Sequence, residues 1–100
     1  MLTQPNKNDV VGIPSKDEWQ VNSNNKQGLK VGELVRIKKN CVGKHDSWMI
    51  RYAADNEIPL VVTELNMFDA QLWFAVKPEW LKQPRHYRRR LDYRRLTNKL

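Results

Sequence analysis

Most of the large apolar residues of this 100-residue chain lie in one stretch, between Leu29 and Leu81. A stretch of this length can build one small hydrophobic core but not two, so the sequence predicts a single folded domain. Four Trp residues add to the available apolar surface, because each can remove about 200 Å² from water. Trp73 and Trp80 are expected to lie in this core, and an exposed patch is the alternative for them.

Within this stretch the pattern favours strands with one short helix. Residues 31–38 alternate apolar and charged side chains around Val35 and Ile37, which is typical of a half-buried strand. The β-branched run 58–65 and the apolar run 70–76 flank a turn at 66–69, and together they predict a hairpin. Asp46 and Ser47 are good N-cap residues, and the helical spacing that follows predicts a helix over 47–55.

Residues 1–28 contain few large apolar side chains and are rich in Asn, Gln, Ser, Pro and Gly. Such a composition buries too little surface to offset the entropy of ordering, so a flexible arm is expected. The apolar residues within 10–21 are the exception. They either pack back on the core or form a short docking segment.

Residues 31–82 resemble an SH3-like small β-barrel. The resemblance lies in residues 31–37 as an opening strand, a long excursion, a hairpin, and residues 76–81 as the closing turn and last short strand. The predicted fold is therefore mainly β with a short helix (α+β): an SH3-like barrel over 29–82, a flexible N-terminal arm and a basic C-terminal helix or tail. The helix at 47–55 departs from the family pattern, and a small α+β sheet with that helix on one face stays open.

The net charge of +7 lies entirely beyond this core. Residues 82–100 hold eight basic side chains and one acid, Asp92, whereas residues 1–81 hold ten of each sign. Pro84 can open a helix and residues 85–99 contain neither Gly nor Pro, so residues 83–100 are predicted to form an Arg-rich tail that can be helical. Deleting this tail is expected to leave the fold intact.

Concentrated positive charge favours a polyanionic partner, and polyphosphate is the usual one. Arg binds phosphate and base edges bidentately, and interleaved Tyr side chains can stack on bases. The sequence therefore predicts a non-enzymatic nucleic-acid-binding protein, for DNA or RNA. The expected contact residues are Lys82, Arg85, His86, Tyr87, Arg88, Arg89, Arg90, Tyr93, Arg94, Arg95 and Lys99. An additional basic patch on the barrel would consist of Arg36, Lys38, Lys39 and Lys44. The alternative is that these four are ordinary outward-facing residues with no binding role.

The main alternative is a protein–protein interaction module, an adaptor or inhibitor, whose basic tail docks on an acidic partner. A docking helix normally carries an apolar stripe at helical spacing, and residues 85–99 have none. The missing apolar face also argues against a membrane surface as the partner.

Enzymatic chemistry is not predicted. Cys41, His45 and Asp46 lie close in sequence, but their spacing does not provide a nucleophile with an oriented base. One Cys and two His lack the paired spacing of a zinc site, so neither a metal nor a cofactor is expected. A single Cys and the absence of a secretory pattern near Met1 favour a cytoplasmic protein.

Overall fold

The computed structural model describes residues 24–99, which form a curled five-stranded antiparallel sheet, a half-barrel, with one helix. The strand order is β4-β3-β2-β1-β5, so that β4 and β5 form the two edges. The elements are β1 (Leu34–Ile37), α1 (Trp48–Asp55), β2 (Leu60–Leu65), β3 (Asp69–Val76), β4 (Arg85–Asp92) and β5 (Leu96–Thr97), with 3₁₀ helices at Lys39–Cys41 and Tyr93–Arg95. The predicted mainly β fold with one short helix, small and barrel-like, is confirmed.

The first three strands and the helix lie close to where the sequence pattern predicts them. Gly32 has a φ of +91°, a conformation that favours glycine, and it turns the chain into β1. Ser47 is the N-cap of α1 but makes no side-chain capping bond. Asn66 accepts hydrogen bonds from the backbone N–H groups of Phe68 and Asp69, at 2.7 and 2.8 Å, which fixes the turn between β2 and β3.

Alternation along the strands separates a core face from an outer face. On β3, the side chains of Leu72, Phe74 and Val76 are buried, whereas those of Gln71, Trp73 and Ala75 lie on the other side. Helix α1 packs its Ile50 and Ala53 side against the core face. The buried apolar cluster consists of Leu29, Val35, Ile37, Met49, Ile50, Ala53, Ala54, Leu60, Val62, Leu65, Ala70, Leu72, Phe74, Val76, Leu91, Tyr93 and Leu96.

The Arg-rich segment is a strand of the sheet, which corrects the expected tail or helix. All eight residues of β4 pair with β3, from Arg85 opposite Val76 to Asp92 opposite Asp69. As a strand, β4 places Tyr87 and Leu91 on the core side, where Tyr87 packs against the Phe74 ring at 5.9 Å between centroids. As a helix, this segment would have no single apolar face to pack against the core. As a strand, it hydrogen-bonds along the whole edge of β3.

Residues 24–28, expected to belong to a flexible arm, are bound to the sheet. The Asn25 side chain is buried, and its amide donates to the Leu29 carbonyl and accepts from the Leu29 N–H, at 3.1 and 2.9 Å. Gln27 Nε2 donates to the carbonyls of Tyr93 and Leu96, at 2.6 and 2.9 Å. The two Gln27 bonds join the two ends of the described segment. The predictions for residues 1–23, including the apolar residues of 10–21, lie outside the described residues.

Within residues 24–99, no helix is long and apolar enough to cross a lipid bilayer. The eight residues of α1 are far fewer than the ~20 that a transmembrane helix needs.

Candidate functional site

The expected contact residues do not form one surface, because β4 turns alternate side chains to opposite sides of the sheet. Arg85, Tyr87 and Arg89 lie on the core side, at the open edge beyond the buried cluster. His86, Arg88 and Arg90 lie on the outer face. The sheet edge therefore carries positive charge on both of its sides.

Three of the predicted contact residues are held by carboxylates. Arg90 Nη2 lies 2.7 Å from Glu64 Oε1, and its Nη1 lies 3.4 Å from Asp69 Oδ1. The hydrogen bond that Arg90 donates to Glu64 raises the pKa of the Arg90 guanidinium above its ordinary value. Arg94 lies 3.6 Å from Asp92, and Arg95 lies 2.8 Å from Asp46.

Arg95 has a structural role. Its Nη2 donates to Asp46 Oδ2 at 2.8 Å and its Nε donates to the Cys41 carbonyl at 3.2 Å. Asp46 also accepts a 2.8 Å hydrogen bond from the Gly43 N–H. Asp46 thus ties the loop before α1 to the segment before β5, a role that differs from the expected helix cap. Cys41 is only partly buried in this loop.

The Asp46 pKa lies below its ordinary value of 3.8, because the Gly43 N–H and then the Arg95 guanidinium stabilise the carboxylate. Because the pKa of Asp46 is lower in the folded state, the ionised carboxylate stabilises the fold above pH 3.8. This contribution is lost as the pH falls through the folded-state pKa of Asp46. We expect Asp46→Asn to cost about 1–2 kcal/mol near neutral pH. Urea unfolding near pH 7 and near pH 3 should show the difference from the parent protein shrinking in acid. A difference that stays constant would contradict this role.

Tyr93 is part of the core and does not present its ring for stacking. Its side chain is 2% exposed, and its hydroxyl donates to the Asn66 carbonyl. Burial raises the pKa of Tyr93. The expected contact role of Tyr93 is therefore wrong for the folded protein.

Three arginines of β4 are neither buried nor paired with a carboxylate of the described residues. Arg85, Arg88 and Arg89 are exposed, and within residues 24–99 no carboxylate lies within ion-pair distance of any of them. Arg89 lies over the Tyr87 ring, 5.4 Å from its centroid, and its Nη1 donates to the Arg88 carbonyl at 2.9 Å. We call these three residues the basic edge. Lys82 lies in the loop that precedes β4 and is also exposed.

Aromatic rings flank the basic edge on both sides of the sheet. On the outer face, Trp73 and His86 stack with centroids 5.0 Å apart and planes 18° apart. On the core side, Trp48 lies 5.0 Å from Trp80 and 6.0 Å from Tyr87. Trp73 is 38% exposed and Trp80 is 66% exposed, so the expectation that both lie in the core is wrong.

The apolar pattern of a small domain favours a core position for these two tryptophans, and it does not by itself identify them as surface residues. The signal that could have found Trp73 is its position in the alternation, since residues 72 and 74 are the buried neighbours.

A second basic surface lies at the opposite edge of the sheet, near β1 and β5. Arg36, Lys38, Lys39 and Lys99 line one groove with Thr97 and Glu57. Lys39 pairs with Glu57 at 3.3 Å, and Arg36 Nε donates to the Glu57 carbonyl. The structure therefore brings together three of the four patch residues that the sequence suggested and adds Lys99, whereas Lys44 lies in an exposed loop.

No geometry for metal binding is seen among residues 24–99. No three His, Cys, Asp or Glu side chains in this part of the chain lie close enough to hold a metal ion. Asp46, from the Cys41–His45–Asp46 group, is bound to Arg95 and the Gly43 N–H.

Comparisons with known proteins give no family assignment. No protein-family model matches the chain, and no curated protein or solved structure gives a significant match.

Proposed function

We propose that this protein is a non-enzymatic nucleic-acid-binding protein that uses the basic edge for phosphate contacts. The observation that carries the proposal is the combination of three exposed arginines, none with a carboxylate partner within residues 24–99, and aromatic rings on both sides of one edge strand. Guanidinium groups bind phosphate bidentately, and aromatic rings bind bases by stacking.

The charge distribution along β4 supports the amino-terminal half of the strand as the contact region. Beyond residue 89, the carboxylates of Glu64, Asp69 and Asp92 offset the charge of Arg90 and Arg94. Arg85 and Arg88 have no such neutralising partner among the described residues, so a polyanion gains most at that end.

The barrel scaffold is proposed to be SH3-like. An opening strand, a long excursion that contains α1, a hairpin and a short last strand support this assignment. The barrel then extends to Thr97 and includes β4 as an edge strand. The sequence resemblance, in contrast, ends at residue 82.

The test is a binding titration of a variant in which Arg85, Arg88 and Arg89 are all replaced by Gln. Three lost phosphate contacts should reduce the slope of log K against log salt by about 2–3 and weaken binding to every nucleic acid. Fluorescence anisotropy at several salt concentrations measures both quantities.

The matched control replaces Lys26, Lys30 and Lys44, three exposed lysines away from β4, with Gln. It lowers the net charge by the same amount but should change the slope much less. Equal effects of the two variants, or no binding of the parent protein at low salt, would sink the proposal.

A second candidate is an interaction module for an acidic, extended peptide. It is favoured by one observation. Among the described residues 24–99, β4 pairs only with β3, so within this part of the chain its other edge is open to an added strand. Arginines on an edge strand also discourage self-association, which would fit a protein that keeps this edge free. Binding of a Glu-rich peptide together with no binding of nucleic acid would support this candidate.

A further inference from the structure

The outer face of the sheet carries a continuous row of side chains across four strands. Leu34 pairs with Val61, Val61 pairs with Trp73, and Trp73 pairs with Arg88. We call these four residues the outer row. Leu34 is 52% exposed and Trp73 is 38% exposed, so the row presents apolar surface that ends in a cation.

Trp73 and His86 form the aromatic part of this face. His86 lies diagonally across from Trp73, since it pairs with Ala75, whose short side chain leaves space above the strand. The two rings are stacked within 18° of parallel, and His86 is exposed. A planar group can extend this stack, because the arrangement offers a flat π-surface beside a guanidinium.

The charged groups on the outer face define where an anion can lie. Glu64 and Asp69 hold Arg90 on one side of the row. Arg88, at the end of the row, has no carboxylate within ion-pair distance among the described residues. A polyanion is therefore favoured at Arg88, directly next to the exposed Trp73 ring.

We propose that the nucleic acid bound at the basic edge is single-stranded, with unpaired bases stacking on Trp73 and His86. This inference rests on the proposed function. A duplex presents phosphates but keeps its base faces inside, so it can use the arginines and leaves the apolar row without a partner. A single strand presents phosphates and base faces together, and it can satisfy both parts of the surface.

The experiment compares four probes of the same length, about 12 nucleotides, which is within the usual site size of such proteins. They are oligo-dT, oligo-U, a duplex, and an abasic DNA strand that has the phosphates but no bases. The full-length protein should bind oligo-dT or oligo-U at least about tenfold more tightly than the abasic strand. The pair oligo-dT and oligo-U separates DNA from RNA.

The variant is Trp73→Thr, which suits an exposed strand position. It should weaken binding to the preferred single strand by about ten- to a hundredfold and leave binding to the abasic strand unchanged. The matched control is Phe68→Thr. Phe68 is a more exposed aromatic residue, in the turn before β3, and its loss should not affect binding.

The outcomes separate the two proposals. Equal affinity for single strand, duplex and abasic strand, with no effect of Trp73→Thr, would overturn the stacking inference and leave phosphate binding at the basic edge intact. No binding of any probe at low salt would overturn both. A variant with unchanged affinity but a lower melting temperature would also overturn the inference, since another part of the chain would then cover the outer row.

Discussion

Deletion of residues 83–100 is expected to abolish the folded state. The deletion removes β4 and β5 and leaves the long edge of β3 unpaired. It also removes Leu91, Tyr93 and Leu96 from the buried cluster. Each fully buried side chain of this kind contributes about 1.5–3 kcal/mol, whereas a small domain has a total stability of about 5–15 kcal/mol. The truncated chain should therefore show no cooperative thermal transition by circular dichroism.

The control for this deletion is the full-length protein with Arg85, Arg88 and Arg89 replaced by Gln. It loses charge at the same edge but keeps every buried residue, so its thermal transition should survive. The structure thus reverses the expectation that the C-terminal segment can be removed without cost. A truncated protein that melts cooperatively near the parent temperature would contradict the placement of β4 and β5 in the sheet.

The hydrophobic pattern was sufficient to predict the first three strands and the helix. Val35, Ile37 and the apolar residues of β2 and β3 alternate as a half-buried sheet requires, and α1 begins at the residue after Ser47. These elements are specified by local features, namely side-chain period, turn residues and a capping position. They can therefore be predicted without knowledge of the tertiary structure.

Strand β4 could not be predicted in the same way. Only Tyr87 and Leu91 mark its inner side, and their separation of four residues is compatible with a helix as well as with a strand. The choice depends on β3, whose free edge accepts the segment along its whole length. Tertiary pairing of this kind overrides weak local preference.

The candidate site was predicted in composition but not in arrangement. The sequence identifies the arginines, but it does not show that Arg90 and Arg95 are bound to carboxylates. Asp46 and Glu64 lie far from these arginines in sequence and meet them only through the fold. Trp73 differs from these arginines, because the alternation of residues 72–74 already places it on the outer side of β3.

Tyr93→Ala is expected to be among the most destabilising single substitutions in the chain. Tyr93 is one of the largest fully buried side chains. Truncation of a buried aromatic residue to Ala typically costs about 3–5 kcal/mol, because it removes packing and leaves a cavity. In a small domain this is a large share of the total stability. Urea unfolding followed by circular dichroism measures the change.

Tyr93→Phe separates the ring from the hydroxyl. It keeps the packing and removes only the hydrogen bond to the Asn66 carbonyl, so it should cost about 1 kcal/mol. Phe68→Ala, at a residue that is 70% exposed, should change stability by about 0.5 kcal/mol or less. If Tyr93 instead contacted nucleic acid, Tyr93→Ala would weaken binding while leaving the urea midpoint unchanged. The order of the three midpoints therefore distinguishes a core tyrosine from a binding tyrosine.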